Sequence, residues 1–93
     1  MQKLTENEIQ QALRVLDGWS LEGGELVRQR TFKDFVAAMA FVNDVAQLAE
    51  AAGHHPDIDI RYNRVRLALV THDAGGITAN DTDMAGRINT LSI

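Results

Sequence analysis

The segment from Ile58 to Leu69, IDIRYNRVRLAL, leaves the chain the least conformational freedom. Ile58 and Ile60 alternate with Asp57, Asp59 and Arg61, and Val65, Leu67 and Leu69 alternate with Arg66 and Ala68. A period of two sorts apolar side chains to one face and charges to the other, so both stretches read as half-buried strands. Asn63-Arg64 stands where a two-residue hairpin turn belongs. That turn sets Tyr62 opposite Val65, Ile60 opposite Leu67 and Ile58 opposite Leu69. Continued past Pro56, it carries His55 towards His72.

Around this hairpin the period changes. TENE, Thr5 to Glu8, fits a capping box, and Ile9, Leu13 and Leu16 follow at helical spacing, which predicts a helix over about residues 6 to 16. GWSLEGGELVRQRTF reads as two strands turning at Gly23-Gly24. TFKD, Thr31 to Asp34, opens a second helix in the same way, running to about Ala52 and stopped by Gly53. Its apolar stripe is Phe35, Met39, Val42, Ala46 and Ala49, widened by Phe41, Val45 and Leu48. TAND, Thr78 to Asp81, opens a third helix carrying Met84, Ile88 and Leu91. The arrangement that buries every stripe is an α+β fold: a four-stranded antiparallel sheet with three helices packed on one face. The order is helix, strand, strand, helix, strand, strand, helix, in one domain over 1–93.

Size and charge narrow the functions. At 93 residues the core is small, so self-association is a welcome source of further apolar burial. The net charge is −4 and no Lys/Arg run appears, which argues against direct nucleic-acid binding. Cysteine is absent, so thiolate and disulfide chemistry are excluded. MQKLTENEIQQ lacks the apolar core of a signal peptide, and no apolar run is expected to approach membrane-spanning length. The expected setting is cytoplasmic, with no membrane partner.

All three histidines, His54, His55 and His72, fall near one end of the predicted hairpin. Three readings stay open on the residues alone. The imidazoles could cap the end of the second helix and satisfy loop carbonyls. They could hold a catalytic metal, although adjacent side chains such as His54 and His55 diverge and seldom converge on one ion. Or they could form a metal-free acid/base pocket, since histidine's ordinary pKa of about 6.5 suits proton transfer near neutral pH.

A wider pattern resembles a known family. E-x-x-x-H-H-P at Glu50 to Pro56, Y-N-x-V at Tyr62 to Val65 and T-H-x-x-x-G-I-T-x-x-D at Thr71 to Asp81 resemble pterin-4a-carbinolamine dehydratase. Gly18-Trp19 and FKDF at Phe32 to Phe35 match the same family, so the likeness runs from about Leu13 to Leu91. The resemblance implies an α+β domain assembled into dimers or tetramers. It implies dehydration of 4a-hydroxytetrahydrobiopterin, or a related 4a-hydroxytetrahydropterin, to the quinonoid dihydropterin. That step recycles the pterin cofactor of aromatic amino-acid hydroxylases and uses no metal or organic cofactor. Some relatives instead serve as assembly or dimerisation cofactors, animal members binding a homeodomain transcription factor; a non-enzymatic protein on this fold is the alternative.

By the same resemblance His54, His55 and His72 are the catalytic set. His54 and His72 transfer protons, and His55 binds and orients the pterin. Glu50, one helical turn before His54, would orient it or raise its basicity. Trp19 would wall the pocket, and Gly53, Pro56, Thr71 and Asp73 would contact substrate around the histidines. Asp81 is read as a cap of the third helix, paired with Thr78, outside the site. Several family members carry an acidic residue where this chain has Gly53, so any carboxylate contribution there is lost.

Overall fold

In the computed structural model, which describes residues 2–91, Thr5 starts the first helix by the expected means. Its hydroxyl accepts from the Glu8 N–H at 3.2 Å, and the Glu8 carboxylate accepts from the Thr5 N–H at 2.8 Å. The helix, α1 (Glu6–Leu13), is shorter than expected. The chain then tightens into turns, with Arg14 and Val15 donating to carbonyls three residues back. This tucks Leu16 into the core and leaves Val15 exposed. Strands β1 (Trp19–Glu22) and β2 (Glu25–Thr31) follow, turning at Gly23-Gly24 as expected.

The second helix, α2 (Phe35–Ala52), departs from expectation at its start. Thr31 is no cap. It is the last residue of β2 and pairs with Arg64 of β4 (Arg64–Leu69), while the Asp34 side chain accepts from the Ala37 N–H at 2.9 Å. Beyond Thr31, the Phe32 N–H donates to the Asn63 carbonyl at 2.8 Å and the Asn63 amide donates back to the Phe32 carbonyl at 2.7 Å. The backbone is therefore held extended past Thr31, and Asp34 is the next side chain able to cap. The buried stripe is also rotated: Ala38, Phe41, Val42, Val45 and Ala49 are buried, while Phe35 and Ala46 are exposed. A helix with alanine on every side leaves its phase open to tertiary packing. Contrary to expectation, α2 is long and apolar enough to qualify for a membrane span, with a mean hydropathy of 1.2 over 18 residues. Asn43, Asp44 and Gln47 at its middle and a core-facing stripe mark it as a helix of a globule.

The sheet is antiparallel throughout, in the order β1-β2-β4-β3, with β3 (Asp57–Arg61) at the edge. Its hairpin register is two residues from the expected one. Ile60 faces Val65 and Ile58 faces Leu67, so the turn is Tyr62-Asn63, with Tyr62 at φ 54°. Asn63 cannot take the expected place because Phe32 holds it on both sides. A slip of two preserves which face each side chain takes, whereas a slip of one would have inverted the strand. Val65, Leu67 and Leu69 are accordingly buried with Phe41, Val45, Met84 and Ile88 in one core. Ile58 and Ile60 remain 37% and 36% exposed, so β3 is less buried than expected.

After β4 come a single 3₁₀ turn (His72–Ala74) and α3 (Ala79–Asn89), started by the expected Thr78–Asp81 capping box. Met84 and Ile88 seal the core, and Leu91 packs against it half-buried. Three helices thus cover one face of a four-stranded antiparallel sheet in the expected order.

Candidate functional site

Gly53 decides where the paired histidines go. It closes α2 at φ 64°, the left-handed conformation in which glycine bears no Cβ penalty, and the chain leaves the helix axis there. His54 and His55 follow directly, and Pro56, which has no N–H to donate, delays the ladder until Asp57. On the neighbouring strand, Thr71 and Gly76 exchange backbone hydrogen bonds of 3.0 and 3.3 Å, closing a loop that presents His72. Because β3 and β4 are adjacent, these junctions meet. His54, His55 and His72 line one open cleft of about 280 Å³ with Gly53, Val70, Thr71 and Asp73. His55 and His72 lie outside the strands and so are not ladder partners, but the expected proximity of the three imidazoles is there.

Beneath the cleft lies a carboxylate that sequence reasoning placed only in a cap. Asp81 is fully buried; its Oδ2 accepts from the Thr78 N–H and the Thr71 hydroxyl, both at 2.8 Å. Its Oδ1 lies 2.6 Å from His54 Nε2, and His54 is itself only 15% exposed. The proton order follows from the donors. Thr71 gives its one hydrogen to Asp81, so Thr78, 2.8 Å away, donates to Thr71 and accepts from the Asn80 N–H. His54 faces Oδ1 with Nε2, so Nδ1 is the ring nitrogen that the carboxylate does not engage.

The other expected site residues divide. The Glu50 carboxylate sits 2.5 Å from His55 Nε2, not on His54 as expected, and both partners are exposed. His72 is exposed at the start of its 3₁₀ turn, with Asp73 beside it. Thr71 lines the cleft, and its hydroxyl donates to Asp81. Pro56, expected to contact substrate, is not among the residues that line the cleft. Trp19 is not a wall of this cleft. It lies in the core, its indole N–H donating to Asn89 at 2.9 Å, at the far end of α3 from Asp81. Asn89 also accepts from Arg28, whose pKa is lowered by burial and then by nearby Arg30.

A larger cavity, about 430 Å³, is mostly apolar and lies between Leu4, Ile9, Leu21 and Ile77, with no histidine in its lining. Chemistry favours the histidine cleft, which joins one half-buried, carboxylate-held imidazole to two exposed ones. Among the described residues no group of three acidic, histidine or cysteine side chains is placed to hold a metal ion. Imidazoles both accept and donate protons, so the side chains lining this cleft are of the type that acid/base chemistry uses.

Residues 2–91 match the family described as pterin 4 alpha carbinolamine dehydratase. A protein of Acidobacterium capsulatum, provisionally named a pterin-4-alpha-carbinolamine dehydratase, is 62% identical over 98% of this chain and 99% of its own. One of Chloroflexus aurantiacus with the same provisional name is 58% identical over 98% of both. Among solved structures, a transcriptional coactivator/pterin dehydratase from Brucella melitensis superposes with a TM-score of 0.89 at 42% identity, over 94% of this chain and 95% of that one. A pterin dehydratase-like RuBisCO assembly factor of the alpha-carboxysome shares the fold, with a TM-score of 0.68 at 24% identity over 81% and 89%.

Proposed function

The chain belongs to the pterin 4 alpha carbinolamine dehydratase family, and from that premise we propose that it dehydrates a 4a-hydroxytetrahydropterin by histidine acid/base catalysis. The substrate is 4a-hydroxytetrahydrobiopterin or a close relative, and the product is the quinonoid dihydropterin. The C4a–O bond breaks, the oxygen takes a proton and leaves as water, and a ring nitrogen gives up its hydrogen. Two imidazoles serve the two transfers, each contributing about 10² to 10⁴ in rate. The observation that carries this reading is the gathering of all three histidines on one cleft.

His54 and His72 are assigned to proton transfer. Asp81 supports His54 in that role: its contact at Nε2 directs proton exchange to Nδ1. His55, held by Glu50, binds and orients the pterin, with Gly53, Thr71 and Asp73 lining the same space. No metal or organic cofactor takes part. The protein acts in the cytoplasm as a dimer or tetramer, without nucleic-acid or membrane partners.

Stopped-flow observation of 4a-hydroxytetrahydropterin decay, with and without the protein, tests the reading. Catalysis that survives extensive chelation is expected. A decay rate equal to the uncatalysed one would transfer the protein to the non-enzymatic alternative, an assembly or dimerisation cofactor on this fold.

A further inference from the structure

We propose that the sheet face opposite the helices binds the phosphate group of a small soluble molecule, in a cleft formed by Arg61, Arg64, Arg66 and Gln29. These residues, with Asp59, line an open cleft of about 280 Å³ at the β3–β4 turn. All belong to the outward parity of their strands, since Val65 and Leu67 on the intervening positions are buried in the core. Arg61 and Arg64 lie at the turn, about 13 Å or more at ~3.3 Å per strand residue from the strand ends next to the histidines, so the site is separate from the one in the dehydratase reading.

The charge arrangement is what a fold alone would avoid. Arg61 and Arg64 are direct cross-strand partners, and Gln29 and Asp59 both flank Arg66. Like charges set directly opposite one another destabilise a sheet. Neutralisation is partial. Asp59 accepts from Arg61 Nε at 3.3 Å, and Glu22 stands 3.8 Å from Arg66 Nη2, beyond hydrogen-bond reach. Among the described residues Arg64 has no ion pair. One third of the 9 Lys and Arg residues thus gather in one cleft of a chain whose net charge is −4.

A compact dianion answers this geometry. Guanidinium forks bind phosphate oxygens in bidentate pairs, and the Gln29 amide adds a neutral donor. The volume admits a phosphate group and a small remainder, below the range of about 300–1,000 Å³ usual for drug-sized ligands. Asp57, Asp59, Glu22 and Glu25 share the outward parity of the sheet. They would repel an extended anionic surface, which favours a free phosphate ester over a lipid headgroup.

The test titrates inorganic pyrophosphate into the full ¹⁵N-labelled chain at constant ionic strength. Saturable shifts are expected at the amides of Gln29, Arg64 and Arg66 and at arginine Nε groups, with the His54 and His72 amides unmoved. R64A should weaken binding by about tenfold or more, with R64K intermediate. R64A should melt no lower than the wild type, because it relieves repulsion, and pyrophosphate should raise the melting temperature of the wild type more than that of R64A. The absence of saturable shifts, shifts centred on the histidines, or equal binding by R64A would each overturn the proposal. So would R64-dependent binding to phosphatidic acid vesicles that pyrophosphate does not displace.

Discussion

At the scale of single residues, Asp81 shows how a correct local reading can conceal a second role. T-x-x-D explains this aspartate fully as a helix cap, and the cap is there. A carboxylate has two oxygens, however, and the cap uses only Oδ2, leaving Oδ1 for His54. Glu50 shows the converse. Its spacing of four from His54 suits a helical pair, but Gly53 ends the helix first, and the carboxylate meets His55 instead. The clustering of imidazoles was legible because adjacent strands carry it; the partner of each was not, because partners depend on side chains meeting across elements. Asp81→Asn should therefore slow dehydration by about 10²-fold, since an amide nitrogen facing His54 Nε2 favours the other tautomer. Rate and melting temperature measured together would show a kinetic loss out of proportion to the stability loss. Glu50→Gln, at an exposed pair, should change stability by less than about 1 kcal/mol in thermal melts.

Among the elements, three T-x-x-[DE] patterns were read as helix starts, and two are. The third, at Thr31, failed because pairing with β4 and the clamp between Phe32 and Asn63 outweigh a single cap bond. The same clamp moved the hairpin turn by one residue and its register by two. Both departures have one cause: a long-range contact that no window of local sequence contains. What survived was the alternation of β3 and β4, because a two-residue slip conserves faces. Asp34→Ala should cost about 1 kcal/mol by denaturant unfolding, while Thr31→Ala, at an exposed strand end, should cost far less. Equal losses would mean that Thr31 shares the capping of α2.

At the scale of the whole molecule, the isolated chain leaves one edge unfinished. Every residue of β3 is exposed, and Ile58, Ile60 and Tyr62 stand 37%, 36% and 66% exposed along it, with Phe35 and Val36 exposed at the start of α2. An unprotected edge strand with apolar side chains invites pairing with a second copy. Sedimentation should find dimers or tetramers at micromolar concentration, reduced towards monomer by Ile58→Lys with Ile60→Lys. A wild-type monomer would contradict this. The central claim concerns chemistry, and stopped-flow dehydration by His72→Ala, paired with its melting curve, tests it most directly. His72 is exposed, lies outside the core and has no side-chain hydrogen bond among the described residues, so its loss should leave the melting temperature unchanged. The rate should fall by about 10²-fold or more, down to the uncatalysed floor. A full dehydration rate with a melting temperature several degrees lower would contradict it and return the histidines to a capping role.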